Sequence, residues 1–215
     1  MPESADPPAH QALPGRKAQA ARNDGIILDA ARAVFLADAT APISAVAERA
    51  GVGISALYRR YPSKEALLRT LCYQGLCRYN AEGAAALELP ADADVLAEFL
   101  RRVVDADVHS LTVRLAGTFT PDESFAPQVR RSAALNEEIL RRATVSGAVR
   151  DGVTVADLSL VLEACAAIVL PDPTRTTQLR HRMLALLLDG LRTPGELPGP
   201  APQPEDFTAR WQPRK

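Results

Sequence analysis

Cysteine, histidine, methionine and aromatic residues are scarce in this chain. Its 215 residues include three Cys, three His, two Met and one Trp, and aromatics make up 5%. A structural zinc site needs four clustered Cys or His ligands. Here Cys72 and Cys77 stand five apart, Cys165 is distant, no two cysteines form a CxxC pair, and His10, His109 and His181 are isolated. No metal and no cofactor is therefore expected. An odd number of cysteines without a framework fits a reducing compartment. The first fifteen residues, MPESADPPAHQALPG, contain no apolar core of a signal peptide. The longest apolar run, Ala164–Leu170, is too short to span a bilayer, so the expectation is a cytoplasmic protein without a membrane partner. Excess charge of one sign is also missing. Lys+Arg number 25 and Asp+Glu 26, so any nucleic-acid contact must come from a local patch.

Alternating apolar runs of the β kind are absent as well, and nearly everything between the two ends has helical period. Residues 1–15 hold four of the 17 prolines and read as a disordered arm, and residues 193–215 hold six and read as a loosely attached Pro-rich tail. Between them the spacing predicts about nine helices. The first has an apolar face at Ile26, Ile27, Ala30, Ala31, Val34 and Phe35, and short helices follow around Ile43–Ala50 and Ile54–Tyr61. A longer helix starts near Leu67, a fifth is marked by Val95, Phe99, Val103 and Ala106, and the last four are expected over 111–119, 129–145, 155–169 and 179–191. Pro42 suits a helix start, Gly51 a left-handed helix end, and Ser63 a cap for the fourth helix. The fold class is all-α. A three-helix head over 16–70 is followed by a larger helical body over 71–192.

The segment ISAVAERAGVGISALYRRYPSKEALL, which begins at Ile43, carries the sharpest signal. A helix of about two turns, a glycine turn and a second short helix make a helix-turn-helix. Ala47 and Ala50 allow close approach, Val52 plugs the angle, and Leu57 anchors the second helix so that its other face is free for a major groove. Charge agrees with this reading. Residues 13–69 carry nine Lys/Arg against five Asp/Glu, and residues 70–215 carry 16 against 19. A basic head thus sits on an acidic body. Arg16, Lys17 and Arg22 precede the apolar face of the first helix as a basic arm.

These residues resemble the DNA-binding signature of TetR-family transcriptional regulators over about residues 16–76. The resemblance implies a homodimer with a helical ligand-binding body. It places Gly53, Ile54, Ser55 and Ala56 before base edges, Tyr58 and Lys64 on phosphates, Arg60 on bases or backbone beside Arg59, and Ser44 on backbone. Asp24 and Gly25 depart from the family pattern, and Asp24 would repel phosphate. In the body the candidate ligand-lining residues are Phe99, Val103, His109, Leu115, Phe119, Leu135, Ile139 and Cys165. The last two long helices, with Val161 and Leu187 on their apolar faces, would form a four-helix bundle between subunits.

The function expected is a ligand-responsive regulator, with a repressor released from a palindromic double-stranded DNA operator by a small molecule as the leading form. The alternative is an all-α activator or architectural DNA-binding protein without a ligand. An all-α enzyme needs a nucleophile–base pair, a metal cluster or a phosphate-cradling glycine loop, and none is visible in the sequence.

Overall fold

The computed structural model describes residues 14–90 and 94–208, with the backbone alone for 14–23, 204 and 208. Of the arm expected over 1–15, residues 1–13 lie outside the described residues, as does Trp211 in the tail, whereas Pro14 and Gly15 belong to the first helix. Among the described residues ten α-helices follow one another: α1 Pro14–Ala37, α2 Ile43–Ala50, α3 Ile54–Arg60, α4 Lys64–Leu87, α5 Val95–Asp105, α6 Val108–Leu115, α7 Ala126–Val145, α8 Val155–Ala166, α9 Pro173–Arg192 and α10 Pro204–Thr208. A 3-10 turn, Glu123–Phe125, leads into α7. The described residues contain no strand.

The turn between α2 and α3 has a simple physical cause. Gly51 is left-handed (φ 64°), its N–H donates to the Glu48 carbonyl, and the Val52 N–H reaches back to the Ala47 carbonyl. That pattern satisfies carbonyls left over at a helix end, and it favours a residue without Cβ. Ser63 caps α4, accepting from the Ala66 N–H at 3.1 Å. Pro42 occupies the position before α2 rather than its first turn.

Among the described residues two apolar cores hold the helices together. The first gathers Ile27, Ala31 and Phe35 of α1, Val46 of α2, Leu57 of α3 and Leu67, Leu68 and Leu71 of α4, and it continues into Leu111, Leu115, Phe119 and Phe125. Leu57 is fully buried, and its truncation to alanine costs about 2–5 kcal/mol. The second core packs Phe99, Leu100 and Val103 of α5 against Ile139 of α7, Leu158, Val161 and Leu162 of α8, and Leu184 and Leu188 of α9. Gly83 lets α4 pass close to its neighbours, because a Cβ there would lie 3.4 Å from both Leu135 and Phe99. The first core crosses the boundary expected at residue 70, so head and body share packing.

Several boundaries differ from the sequence expectation. Arg16, Lys17 and Arg22 lie within α1 rather than on an arm before it. Ala, Gln, Lys and Arg are strong helix formers, and Pro14 suits a helix start. Ile26, placed on the buried face by its spacing, is 51% exposed, and Leu28 is buried instead. Helix α6 lies three residues earlier than expected, leaving Phe119 buried in the loop that follows. Helix α9 begins at Pro173 because Asp172 caps it through the Thr174 N–H. The tail is not wholly loose: Arg150 donates to the Gly195 carbonyl, and Phe207 in α10 is half-buried.

Candidate DNA-reading helix and effector cavity

Seven residues form α3, and Leu57 is its one buried member. Gly53, Ile54, Ser55, Ala56, Tyr58, Arg59 and Arg60 are all exposed, as is Ser44 on α2. Ile54 and Tyr58 are 40% and 46% exposed, so an aliphatic side chain and a phenol hydroxyl are both open to a partner on this face. Burying one stripe on the core and presenting the other is the geometry of a recognition helix.

Two of the expected DNA contacts are engaged within the chain. Arg60 forms a two-pronged ion pair with Asp24 of α1, its Nε donating to Oδ1 at 2.6 Å while its terminal nitrogen meets Oδ2. This carboxylate holds the Arg60 guanidinium above its ordinary pKa. Asp24 therefore acts first on a protein cation rather than directly on phosphate. Lys64 donates to the carbonyls of Ala39 (3.1 Å) and Ala41 (2.7 Å), and its ammonium stands 5.1 Å from the Phe35 ring centroid. Partial burial lowers its pKa. Lys64 is thus first a clip between α4 and the α1–α2 loop, with its charge still beside the head. The side chains of Arg16, Lys17 and Arg22 lie outside the described part.

Below the head is a cavity of about 450 Å³ between α4, α6, α7, α8 and the 119–125 segment. Cys72, Leu76, Tyr79, Val108, Phe119, Phe125 and Leu162 supply its apolar wall, and His109, Thr112, Ser132, Asn136 and Ser159 its polar points. Such a volume falls in the range of about 300–1,000 Å³ usual for small-molecule sites. The Tyr79 hydroxyl donates to Asn136 at 2.8 Å, and Ser132 donates to the buried Asn80 at 2.7 Å. Burial pushes the Cys72 thiol up to about 12 and the Tyr79 phenol above its ordinary value. A larger depression of about 580 Å³ lies by Leu87, Val95, Arg141 and Val145. It is built from fewer elements and sits away from the head core, so the α4–α8 cavity is the better candidate.

Of the eight residues expected to line a pocket, His109 and Phe119 do so. Phe99, Val103, Leu115 and Ile139 are fully buried in the cores, and Leu135 packs on Gly83. Cys165, also buried, points its thiol at the Arg180 carbonyl, and with Val103 it borders only a sliver of about 10 Å³. Helical spacing marks an inward face, and an inward face meets another helix more often than a void.

The sequence reading missed one polar junction altogether. Arg32 of α1 donates to the carbonyl of Asp107, between α5 and α6, and its guanidinium lies 3.5 Å from the Asp107 carboxylate. The other carboxylate oxygen of Asp107 meets Arg180 of α9 at 2.6 Å, and Arg180 Nε donates to the Ile168 carbonyl at 3.0 Å. Asp107 is left-handed (φ 48°), a conformation in which Asp is tolerated but uncommon. A signal was available in the sequence. Thr176, Arg180, Leu184 and Leu188 share the buried stripe of α9, and an arginine at such spacing needs a partner. Among the described residues no group of three or more His, Cys, Asp or Glu is placed to hold a metal. No helix there is long and apolar enough to cross a membrane.

With this geometry in place, comparison with known proteins is decisive. Residues 27–71 match the family described as bacterial regulatory proteins, tetR family, and residues 91–193 match the C-terminal domain of SbtR-like transcriptional regulators. The chain belongs to the TetR family of transcriptional regulators. It is a ligand-responsive regulator with an N-terminal DNA-binding and a C-terminal ligand-binding part. The TetR regulator SCO0520 from Streptomyces coelicolor is 26% identical, with a TM-score of 0.57 over 79% of this chain and 98% of that one. A TetR regulatory protein from Mycobacterium vanbaalenii is 28% identical, with a TM-score of 0.56 over 82% and 99%. The TetR-like regulator LfrR from Mycobacterium smegmatis, solved in complex with proflavine, shares the fold at 24% identity and a TM-score of 0.60 over 82% and 99%. No curated protein matches.

Proposed function

We propose that this TetR-family protein is a cytoplasmic repressor that binds a palindromic operator as a homodimer and is released by a small molecule. One observation carries the release step: Cys72, Phe119 and Phe125 belong both to the cavity wall and to the core of the DNA-binding head. A ligand that displaces them acts directly on packing that positions α1 and α4. The Arg32–Asp107–Arg180 junction offers a second, polar route, since Val108 and His109 of the cavity follow Asp107 in the chain. Release requires only that the ligand prefer the state with poorer operator fit.

Exposed apolar residues support a dimer through α8 and α9. Leu160 and Leu186 are 48% and 61% exposed. Arg182, Ala185, Leu186, Asp189 and Gly190 form one open face of α9. Val161 and Leu187 turn toward this subunit's own second core, so the shared face is better represented by Leu160 and Leu186. In a dimer the two α3 helices would enter successive major grooves about 34–36 Å apart. Reading at Gly53, Ile54, Ser55 and Ala56 would lean on thymine methyls and DNA shape, because these side chains offer few hydrogen bonds.

Selection of DNA from a random pool by the purified protein tests this reading. A palindrome with half-sites one helical turn apart is expected. Recovery of sequence-independent or single half-site DNA would instead favour an architectural protein.

A further inference from the structure

We infer that the cavity between α4, α6, α7 and α8 takes an uncharged, largely aromatic or alicyclic effector with one or two hydrogen-bonding groups, and discriminates against ions of either sign. This rests on the reading of that cavity as the effector site. Among the described residues that line it, none is Asp, Glu, Lys or Arg. Cys72 and Tyr79 stay neutral because burial raises both, and His109 is the other described wall residue with an ionisable side chain. Several charged side chains nearby in sequence pair away from the wall: Arg69 with Glu65 and Asp122, Arg78 with Glu82, and Asp107 with Arg32 and Arg180; Glu163, which follows Leu162, is not among the lining residues. An ion leaving water for this wall would find dipoles without a counter-charge, and desolvation of an unpaired ion is not repaid by dipoles of this kind. A neutral ring loses little on entry and gains contact with Leu76, Phe119, Phe125 and Leu162. The polar points suit a neutral hydroxyl or carbonyl. Asn136 accepts from Tyr79 and carries amide donors on the same group.

The test uses the full chain and three fluorescent probes: N-phenyl-1-naphthylamine, which is neutral, its 8-sulfonate, which is an anion, and proflavine, which is a cation. The neutral probe should bind at least 30-fold more tightly than either ion. Two variants separate the ligand class from the site. Gly75→Leu puts a side chain into the cavity, where a Cβ would approach only the Val108 carbonyl, at 4.0 Å, and it should abolish neutral-probe binding while helix content is unchanged. Ser159→Asp adds a wall carboxylate and should tighten proflavine at least 10-fold while weakening the neutral probe. Equal binding of neutral and charged probes, lost together in Gly75→Leu, would overturn the ligand class and leave the site standing. Neutral-probe binding that survives Gly75→Leu would overturn the site itself. No gain of proflavine affinity in Ser159→Asp would show that wall charge does not govern selection, and the inference would fall.

Discussion

Asp24→Asn is expected to strengthen DNA binding by releasing Arg60. In the folded head the Asp24 carboxylate grips the Arg60 guanidinium through both oxygens, and Arg60 is otherwise exposed, at 57%. Such a pair in water contributes only about 0–1 kcal/mol to folding, so the asparagine variant should unfold within a few degrees of the parent. At the DNA surface the effect is larger. The substitution removes one negative charge per subunit and frees a cation at the end of the recognition helix. If each freed Arg60 meets a phosphate, the slope of log K against log salt steepens by about 0.9 per contact, or about 1.8 for a dimer. At 0.1 M salt, relative to 1 M, that release is worth about 1.2 kcal/mol per contact and roughly 60-fold in affinity for two.

The assay is operator binding by fluorescence anisotropy from 0.05 to 0.4 M salt on four proteins: parent, Asp24→Asn, Arg60→Ala and the double variant. Arg60→Ala alone should leave the slope near the parent's, because the guanidinium is already held by Asp24. In the Asp24→Asn background the same change should restore the parental slope, so the two effects will be strongly non-additive. If Asp24→Asn changes neither slope nor affinity, or if Arg60→Ala flattens the parental slope by about 1.8, the ion pair does not restrain Arg60 on DNA and the reasoning fails.

Other expectations follow from the same geometry. Tyr58→Phe deletes one exposed hydroxyl, and if it meets phosphate the loss is about 1.5 kcal/mol per subunit and roughly 100-fold or more per dimer, with an unchanged circular dichroism spectrum; normal operator affinity would remove Tyr58 from the contact set. Leu186→Glu places a carboxylate on an exposed position of α9, where the monomer tolerates it and an apolar interface does not; light scattering should report monomer, and a persistent dimer would place the interface elsewhere. Cys72 and Cys165 are held neutral by burial, with pKa values raised from 9.0 to about 12 and about 11. The folded state thus keeps protons that the unfolded chain releases, so their contribution is full below pH 9. It is lost as pH rises toward 11, by up to about 1.4 kcal/mol per pH unit for each thiol. Urea titrations of the Cys72→Ala/Cys165→Ala variant between pH 8 and 10.5 should show a flatter decline, and an unaltered decline would refute this.

The parts that were legible in the sequence are those where one residue type answers a local demand. Gly51 is left-handed as its place after α2 requires, and Leu57 alone anchors α3. The start of α1 was not legible because residues 14–25 contain no Ile, Leu, Val or Phe. Without an apolar stripe, periodicity has nothing to register, and only propensity favours helix there. The pocket was legible only in part for a different reason. Spacing shows which side of a helix turns inward, but whether it meets a side chain or a void depends on the partner's shape. Phe99, Val103, Leu115 and Ile139 meet side chains and are fully buried, whereas His109 and Phe119 meet the cavity.

Asp24 marks where one-residue reading stops. Taken alone, an acid before a basic helix can only repel phosphate. Packing of α1 against the head core brings it to Arg60, 36 positions away, and the same charge becomes a restraint on a neighbouring cation. Both effects weaken DNA binding, so affinity of the Asp24 variant alone cannot separate them. The coupling between Asp24 and Arg60 can, because simple repulsion acts whether or not Arg60 is present, whereas a restraint vanishes with the group it restrains.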